Sequence, residues 1–211
     1  MVNTKSERDT EKETGRLEAF SDGVFAVAIT ILVFDLLKVP QAAPGQVFSP
    51  GDLANALGTQ WPAYLTFALS FVTILIMWMN HHSMFRMVHK VSAPFMLANG
   101  LLLLLVTAVP FPTALLGDYL TEPAASTAAV VYSGVFVLIS VAYNLVWWAA
   151  RQGHLLRPDT TAEQVQQRAR LNFIGIPAYL LALLCAFAFP VLSVGICGAL
   201  WCFWVFASFK A

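Results

Sequence analysis

The polar side chains of the first apolar segment, residues 16–37, are the first candidates for chemistry in this chain. Asp22 lies inside that segment, and a carboxylate at membrane depth costs about 2.5–3.5 kcal/mol, so it needs partners. The groups available as partners are Arg16, Ser21, Asn80, His81 and His82. We predict a polar cluster in which Asp22 is ionised and paired with Arg16, Ser21 and one or both histidines.

This cluster has two interpretations. A structural role would fix how the first helix packs against the second, or against a neighbouring subunit. Alternatively, Asp22 would form an ion or proton site, and His81 or His82 would sense protons through it because histidine titrates near neutral pH. The sequence leaves open which histidine pairs with Asp22.

Other reactive residue types do not assemble a site. Adjacent histidines point about 100° apart on a helix and no HExxH motif accompanies them, so no metal site is predicted. The cysteines lie in apolar sequence and are predicted to be buried thiols without a cofactor: Cys185, Cys197 and Cys202. Outside the Asp22 cluster, the only mid-span acid is Asp35, so an intramembrane enzyme is not predicted.

The elements that position these residues follow from composition. The chain has 58% hydrophobic and 11% charged residues, whereas soluble domains have about 25% charged residues. The net charge of zero also excludes a nucleic-acid partner. We predict an all-α polytopic membrane protein with six transmembrane helices and no separate soluble domain. The predicted spans are residues 17–37, 61–84, 93–115, 125–150, 171–189 and 191–209.

Residues 1–15 are predicted to form a cytoplasmic tail, and residues 16–211 the membrane domain. With six crossings, eleven of the twelve Lys and Arg residues fall on one side and Lys38 alone on the other. Because positive residues concentrate on the cytoplasmic side, both termini are predicted to be cytoplasmic.

Local signals predict several boundaries. Hydroxyl residues precede first-turn prolines or a capping-box glutamine, which predicts helix starts at Ser92, Thr121 and Thr161. Because only Pro190 separates the last two spans, they are predicted to form a hairpin.

One narrow stripe lies on the first helix, because residues advance by 100° each. Its members fall within about 80° of one another, and they are Phe20, Gly23, Val27, Thr30, Ile31 and Phe34. Asp22 lies well to the side of this stripe.

The segment Arg16-Leu-Glu-Ala-Phe20-Ser21-Asp22, followed by Gly-Val-Phe-Ala-Val-Ala-Ile-Thr30, resembles the RxxxFSD signature of the endolysosomal potassium channel family. The match is to its single-repeat prokaryotic members, and it extends over the chain in outline. The resemblance implies a homotetramer in the cell membrane that conducts potassium and other monovalent cations through one central pore, without a TVGYG-type filter.

The resemblance also implies roles for the stripe. Val27 would form an apolar constriction, Thr30 a hydroxyl ring that favours cations, and Ile31 a further apolar layer. The Thr30 hydroxyl is expected to bond the Ala26 carbonyl. Val27 is one methylene shorter than the isoleucine or leucine common in the family. Phe34 stands where leucine is usual and would narrow the outer mouth or fold aside.

A secondary transporter with a midplane site inside each subunit is the alternative. Gly175, Pro177, Pro110 and Pro112 would break helices around such a site. An enclosed polar cavity beside Pro110 and Pro112 would favour the transporter over a shared axial pore.

Overall fold

The computed structural model describes residues 4–37, 40–41 and 47–210 of the chain. Throughout those ranges the regular elements are helices, with one isolated antiparallel bridge between Val88 and Leu156. In chain order they are α1 (Thr4–Ile31), a 3₁₀ segment (Leu32–Leu37), α2 (Pro50–Thr59), α3 (Trp61–Phe85), α4 (Ala93–Ala108), α5 (Pro110–Tyr119), α6 (Ala125–Gln152), α7 (Ala162–Ala186) and α8 (Pro190–Lys210).

The described helices are long and apolar enough to cross a bilayer at five places, and a shorter apolar helix covers Pro190–Val205. The five stretches are Lys12–Phe34, Trp61–Phe85, Ala93–Tyr119, Ala125–Gln152 and Ala162–Ala186. Helices satisfy their own backbone hydrogen bonds, which is why a chain this apolar adopts them. The predicted all-α polytopic fold is confirmed, and the chain is a multi-pass membrane protein.

Helix α6 is the centre of the bundle, because α4, α5, α7 and α8 all pack on it. Its buried Tyr132 and Phe136 stack edge to face within the core. Helix α1 lies at the periphery instead and packs mainly on α3 and α4. One face of α1 is therefore covered by the chain itself and another is not.

Hydrogen bonds between helices satisfy the polar groups of the interior. Ser70 lies 2.6 Å from the Thr113 hydroxyl, and Ser133 lies 2.9 Å from the Ser193 hydroxyl. The Tyr143 hydroxyl donates to the Met77 carbonyl at 2.6 Å. Such pairs hold α3, α5, α6 and α8 together where no water can substitute.

Two predicted helix starts are confirmed. The Ser92 hydroxyl accepts from the Phe95 amide at the start of α4, and Thr161 forms a capping box with Gln164 at the start of α7. The predicted hairpin is also confirmed, because α8 begins at Pro190 four residues after α7 ends and packs against it.

The predicted start at Thr121 is wrong, because α6 begins at Ala125 with Ala124 as its cap. The chain leaves α5 through consecutive turns, in which the Glu122 amide donates to the Tyr119 carbonyl and the Ala125 amide to the Glu122 carbonyl. Pro123 occupies the second position of the latter turn, where its fixed φ is favoured.

Three further features concern the N-terminal segment and the connection between the first two spans. Residues 4–15, predicted as a tail, belong to the helix that becomes the first span. Helix α2 was not predicted, although Ser49 and Asp52 form a capping box there with Pro50 in the first turn. Lys38, the lone basic residue predicted for the outer side, lies outside the described residues.

Candidate functional site

A buried hydrogen-bonded chain joins α1, α4 and α3 at the end of the bundle where α3 finishes. The Asn99 amide group donates to the Ser21 hydroxyl at 3.0 Å, and the Asn99 carbonyl oxygen lies 2.9 Å from Nε2 of His81. The Ser21 hydroxyl donates onward to the Leu17 carbonyl at 2.8 Å. Asn99 on α4 therefore connects the first helix to the second span.

This geometry fixes the proton of His81. Because the amide oxygen of Asn99 can only accept, Nε2 of His81 is the protonated nitrogen. Its Nδ1 is buried and has no partner among the described residues. The ring packs between Phe25 and Phe85, with centroids at 5.2 and 4.3 Å. The His81 ring thus lies in an apolar aromatic environment and is joined to α4 through Asn99.

A second, half-exposed chain of contacts runs beside the first. The indole N–H of Trp78 donates to Oδ1 of Asp22 at 2.8 Å. The Trp78 ring stacks on His82 at 5.8 Å, and Nδ1 of His82 lies 2.9 Å from Oε1 of Glu18. Trp78 on α3 therefore binds Asp22 on α1 by a hydrogen bond, and His82 lies close to Glu18 without meeting the geometry of one.

The predicted cluster is therefore divided into two branches. Ser21 and His81 meet through Asn99, whereas the hydrogen-bond donor to Asp22 is Trp78 rather than Arg16 or a histidine. Arg16 is exposed, and within the described part of the chain it makes no ion pair with this group. Asn99 is the residue missed; a lone amide inside the apolar third span is the signal that could have found it.

The predicted stripe occupies the uncovered face of α1 and of the 3₁₀ segment that follows it. In the single chain Val27 is 54% exposed, Ile31 40% and Phe34 62%. On the opposite face, Phe25 and Leu32 are buried in the core. The hydrogen bonds of the two branches lie on the face of α1 that packs on α3 and α4, so the stripe points away from those helices.

The hydroxyl of Thr30 also lies on the uncovered face. It donates to the Val27 carbonyl at 2.9 Å, so the predicted partner, the Ala26 carbonyl, is wrong. Threonine bonds either the third or the fourth preceding carbonyl depending on its rotamer. Because the hydroxyl proton of Thr30 is donated within the helix, the lone pairs of its oxygen are available on the exposed face of α1.

Metal-ligating residues are dispersed among the residues that the structure describes, where no three His, Cys, Asp or Glu side chains come together. His81 and His82 belong to different branches, as their 100° separation predicts. The thiols are free: Cys197 is buried, Cys185 partly buried and Cys202 exposed. The predicted burial is therefore wrong for Cys202, which lies on the outward face of α8.

Fold and site together define a polytopic helical membrane protein whose first helix is anchored by polar side chains on one face and bare on the other. Residues 16–110 match the family described as the endosomal/lysosomal potassium channel TMEM175. The chain belongs to the TMEM175 family, and the resemblance noted in the sequence is confirmed. Because this is a channel family, the prediction that the chain is not an enzyme is also confirmed.

Related proteins align along nearly the whole chain. A potassium channel of Chamaesiphon minutus is 45% identical over 90% of this chain and 93% of its own length. A potassium channel of Streptomyces collinus is 47% identical over 78% of this chain and 80% of its own. The crystal structure of a lysosomal potassium-selective channel TMEM175 homolog from Chamaesiphon minutus superimposes with a TM-score of 0.84, at 42% identity, covering 94% of this chain and 99% of that one.

Proposed function

We propose that four copies of this chain form a potassium-preferring cation channel in the cell membrane, with both termini cytoplasmic. The first helix of each subunit lines the pore. Val27, Ile31 and Phe34 form successive apolar constrictions, and Thr30 forms a hydroxyl ring between the first two. This arrangement replaces a filter of backbone carbonyls, and the permeant ion is potassium, with other monovalent cations passing less readily.

The main support for this function is the contrast between the two faces of α1. The stripe is exposed in a single chain, whereas the opposite face forms hydrogen bonds to α3 and α4. A helix anchored in this way presents a constant surface, as a rigid pore wall must. The match to the channel family covers residues 16–110 and so includes every residue of the stripe. An apolar ring excludes ions when it dewets, and widening or wetting it permits conduction.

The residue types beside the constriction also favour helix contact over lipid contact. Ala19 and Gly23 are small, exposed and four residues apart, which lets neighbouring helices approach closely. A Cβ added at Gly23 would meet no atom of another part of the chain within 4 Å. Thr30 places a hydroxyl oxygen at membrane depth. Polar groups at that depth usually face protein or a water-filled cavity rather than lipid.

The interior of a single chain offers less support for a transporter. One cavity within the helix bundle is about 50 Å³ and is lined by residues of α3, α6, α7 and α8, among them Gly175 but neither Pro110 nor Pro112. Small-molecule sites typically have about 300–1,000 Å³. The Thr113 hydroxyl near these prolines is already bonded to Ser70 and to the Val109 carbonyl. A path between chains is therefore favoured over a site within one.

Ion flux from liposomes tests the channel directly. Purified protein in vesicles loaded with KCl and diluted into NaCl is expected to release potassium when a protonophore balances charge. Reversing the two salts is expected to give slower but measurable sodium release. Flux at the level of protein-free vesicles would contradict the proposal, and valinomycin added last verifies that the vesicles were intact.

Cross-linking tests where the stripe lies. In a background with the three native cysteines changed to alanine, Val27→Cys is expected to form disulfide-linked dimers under mild oxidant. If Val27 surrounds a constricted axis, the Cα atoms of position 27 in adjacent subunits approach the separation of about 4.4–6.8 Å that a disulfide needs. Leu97→Cys is the matched control, because Leu97 is 76% exposed on α4. Equal cross-linking at both positions would contradict an axial position for Val27.

A further inference from the structure

A polar cavity of about 360 Å³ lies apart from the stripe, where α3 ends and α7 begins. This volume falls within the range of about 300–1,000 Å³ that is usual for small-molecule sites. Its charged lining comprises three guanidinium groups and one carboxylate, from Arg86, Arg157, Arg168 and Asp159. Positive charge therefore exceeds negative charge by two.

Arg168 is the buried member of this lining, with only 3% of its surface exposed. Its guanidinium donates to the Ser83 hydroxyl and, at 3.4 Å, to the Asn80 side-chain oxygen, and both partners are neutral. Its Nε has no hydrogen-bond partner in the described structure, and no carboxylate there pairs with it. A buried charge without a counter-ion is costly, so this group lacks an anion.

The other two arginines of the lining add positive charge, so the cavity favours a bound anion more strongly. Arg86 lines the same cavity as Arg168, and its positive charge acts on that of Arg168 unfavourably. Arg86 and Arg157 are both exposed at the mouth of the cavity. Asp159, also exposed, offsets one of the three charges, so the cavity attracts an anion with a charge near two.

Backbone contacts hold the mouth in place. The Arg157 amide donates to the Met87 carbonyl at 2.9 Å, and the His89 amide donates to the Leu155 carbonyl at 3.0 Å. Between these two bonds lies the antiparallel bridge of Val88 with Leu156. The loop before α7 is therefore fixed against the end of α3, and Arg157 is brought to the same cavity as Arg86.

We propose that this cavity binds a phosphate group, supplied either by a free phosphate compound or by the headgroup of an anionic phospholipid. Guanidinium groups match phosphate oxygens in pairs of parallel hydrogen bonds, and a phosphate at neutral pH supplies the missing negative charge. Basic pockets between membrane helices recognise lipid headgroups by the same chemistry. The inference does not depend on the proposed channel function.

Binding to the double variant Arg86→Gln/Arg157→Gln tests the site. One arm adds inorganic phosphate to the protein in detergent and follows the melting temperature against chloride of equal ionic strength. The other arm titrates phosphatidylglycerol or phosphatidylcholine and counts bound lipid by native mass spectrometry. Loss of two charge-assisted bonds is expected to weaken whichever probe binds by at least about tenfold.

Arg151→Gln/Arg170→Gln is the matched control, because both arginines are exposed and neither lines the cavity. It removes the same charge and is expected to bind like wild type. Saturable phosphate binding identifies a free phosphate as sufficient, and binding of phosphatidylglycerol alone identifies a lipid headgroup. The proposal is overturned if neither probe binds saturably, or if both double variants lose binding equally. Equal melting temperatures in chloride verify that both variants fold.

Discussion

Replacing Val27 with asparagine is expected to raise potassium flux from liposomes about tenfold, which corresponds to lowering the barrier by about 1.4 kcal/mol. The same change is expected to reduce the preference for potassium over sodium. Both effects follow from the proposal that Val27 forms the narrowest apolar ring, where an ion loses hydration and receives nothing in return. An amide at that ring supplies oxygens and retains water.

The control for this prediction is the same kind of substitution on an exposed surface away from the stripe. Leu97 on α4 is the most suitable position, because it is highly exposed and lies near the helix end, where a polar side chain reaches the interface. Leu97→Asn is expected to leave flux unchanged. If Val27→Asn and Leu97→Asn behave alike, Val27 has no special effect on conduction and the pore proposal is wrong.

The spans could be predicted from the sequence because the bilayer imposes a simple rule. A segment without water must form its hydrogen bonds within itself, so long apolar stretches become helices whatever they pack against. Boundaries followed where the signal was local, as with the Ser92 cap and the Thr161 capping box. Helix α2 had an equally local signal in Ser49 and Asp52, so it was predictable as well.

The Thr121 boundary shows why a local signal is not always enough. The threonine, acidic residue and proline there resemble a helix start, but α5 reaches Tyr119 and its last turns run directly into that sequence. Because α5 ends at Tyr119, Pro123 falls in the turn of residues 122–125 rather than in the first turn of α6. That outcome depends on where α5 ends, which hydropathy alone does not define.

The hydrogen-bond partners of the candidate site could not be predicted from the sequence, because they depend on how the helices are rotated against one another. Sequence identified Ser21, Asp22 and His81 as polar groups at similar depth, but Asn99 joins two of them and Trp78 bonds the third. Which side chain meets Asp22 depends on the rotation of α3 about its own axis. An indole N–H one turn before His82 satisfies that geometry, while His82, one of the two candidate histidines, lies near Glu18 instead.

Replacing Asn99 with leucine is expected to destabilise the protein by about 1–3 kcal/mol, the cost of leaving a buried donor unpaired. The orphaned group would be Nε2–H of His81, since the Ser21 hydroxyl keeps its bond to the Leu17 carbonyl. Thermal unfolding in detergent, measured for wild type and variant under identical conditions, checks the difference.

A second substitution separates lost hydrogen bonding from poor packing. His81 already lies between two aromatic rings, so phenylalanine at that position keeps the stacking and removes the donor. Because replacing both partners of a buried hydrogen bond by apolar groups of similar shape is close to neutral, Asn99→Leu/His81→Phe is expected to recover most of the stability that Asn99→Leu loses. A double variant less stable than Asn99→Leu would show that leucine itself does not fit beside α1. Recovery would show that the Asn99 amide and His81 stabilise the junction of α1, α3 and α4 as a pair, which is the anchoring that holds the Val27 face outward.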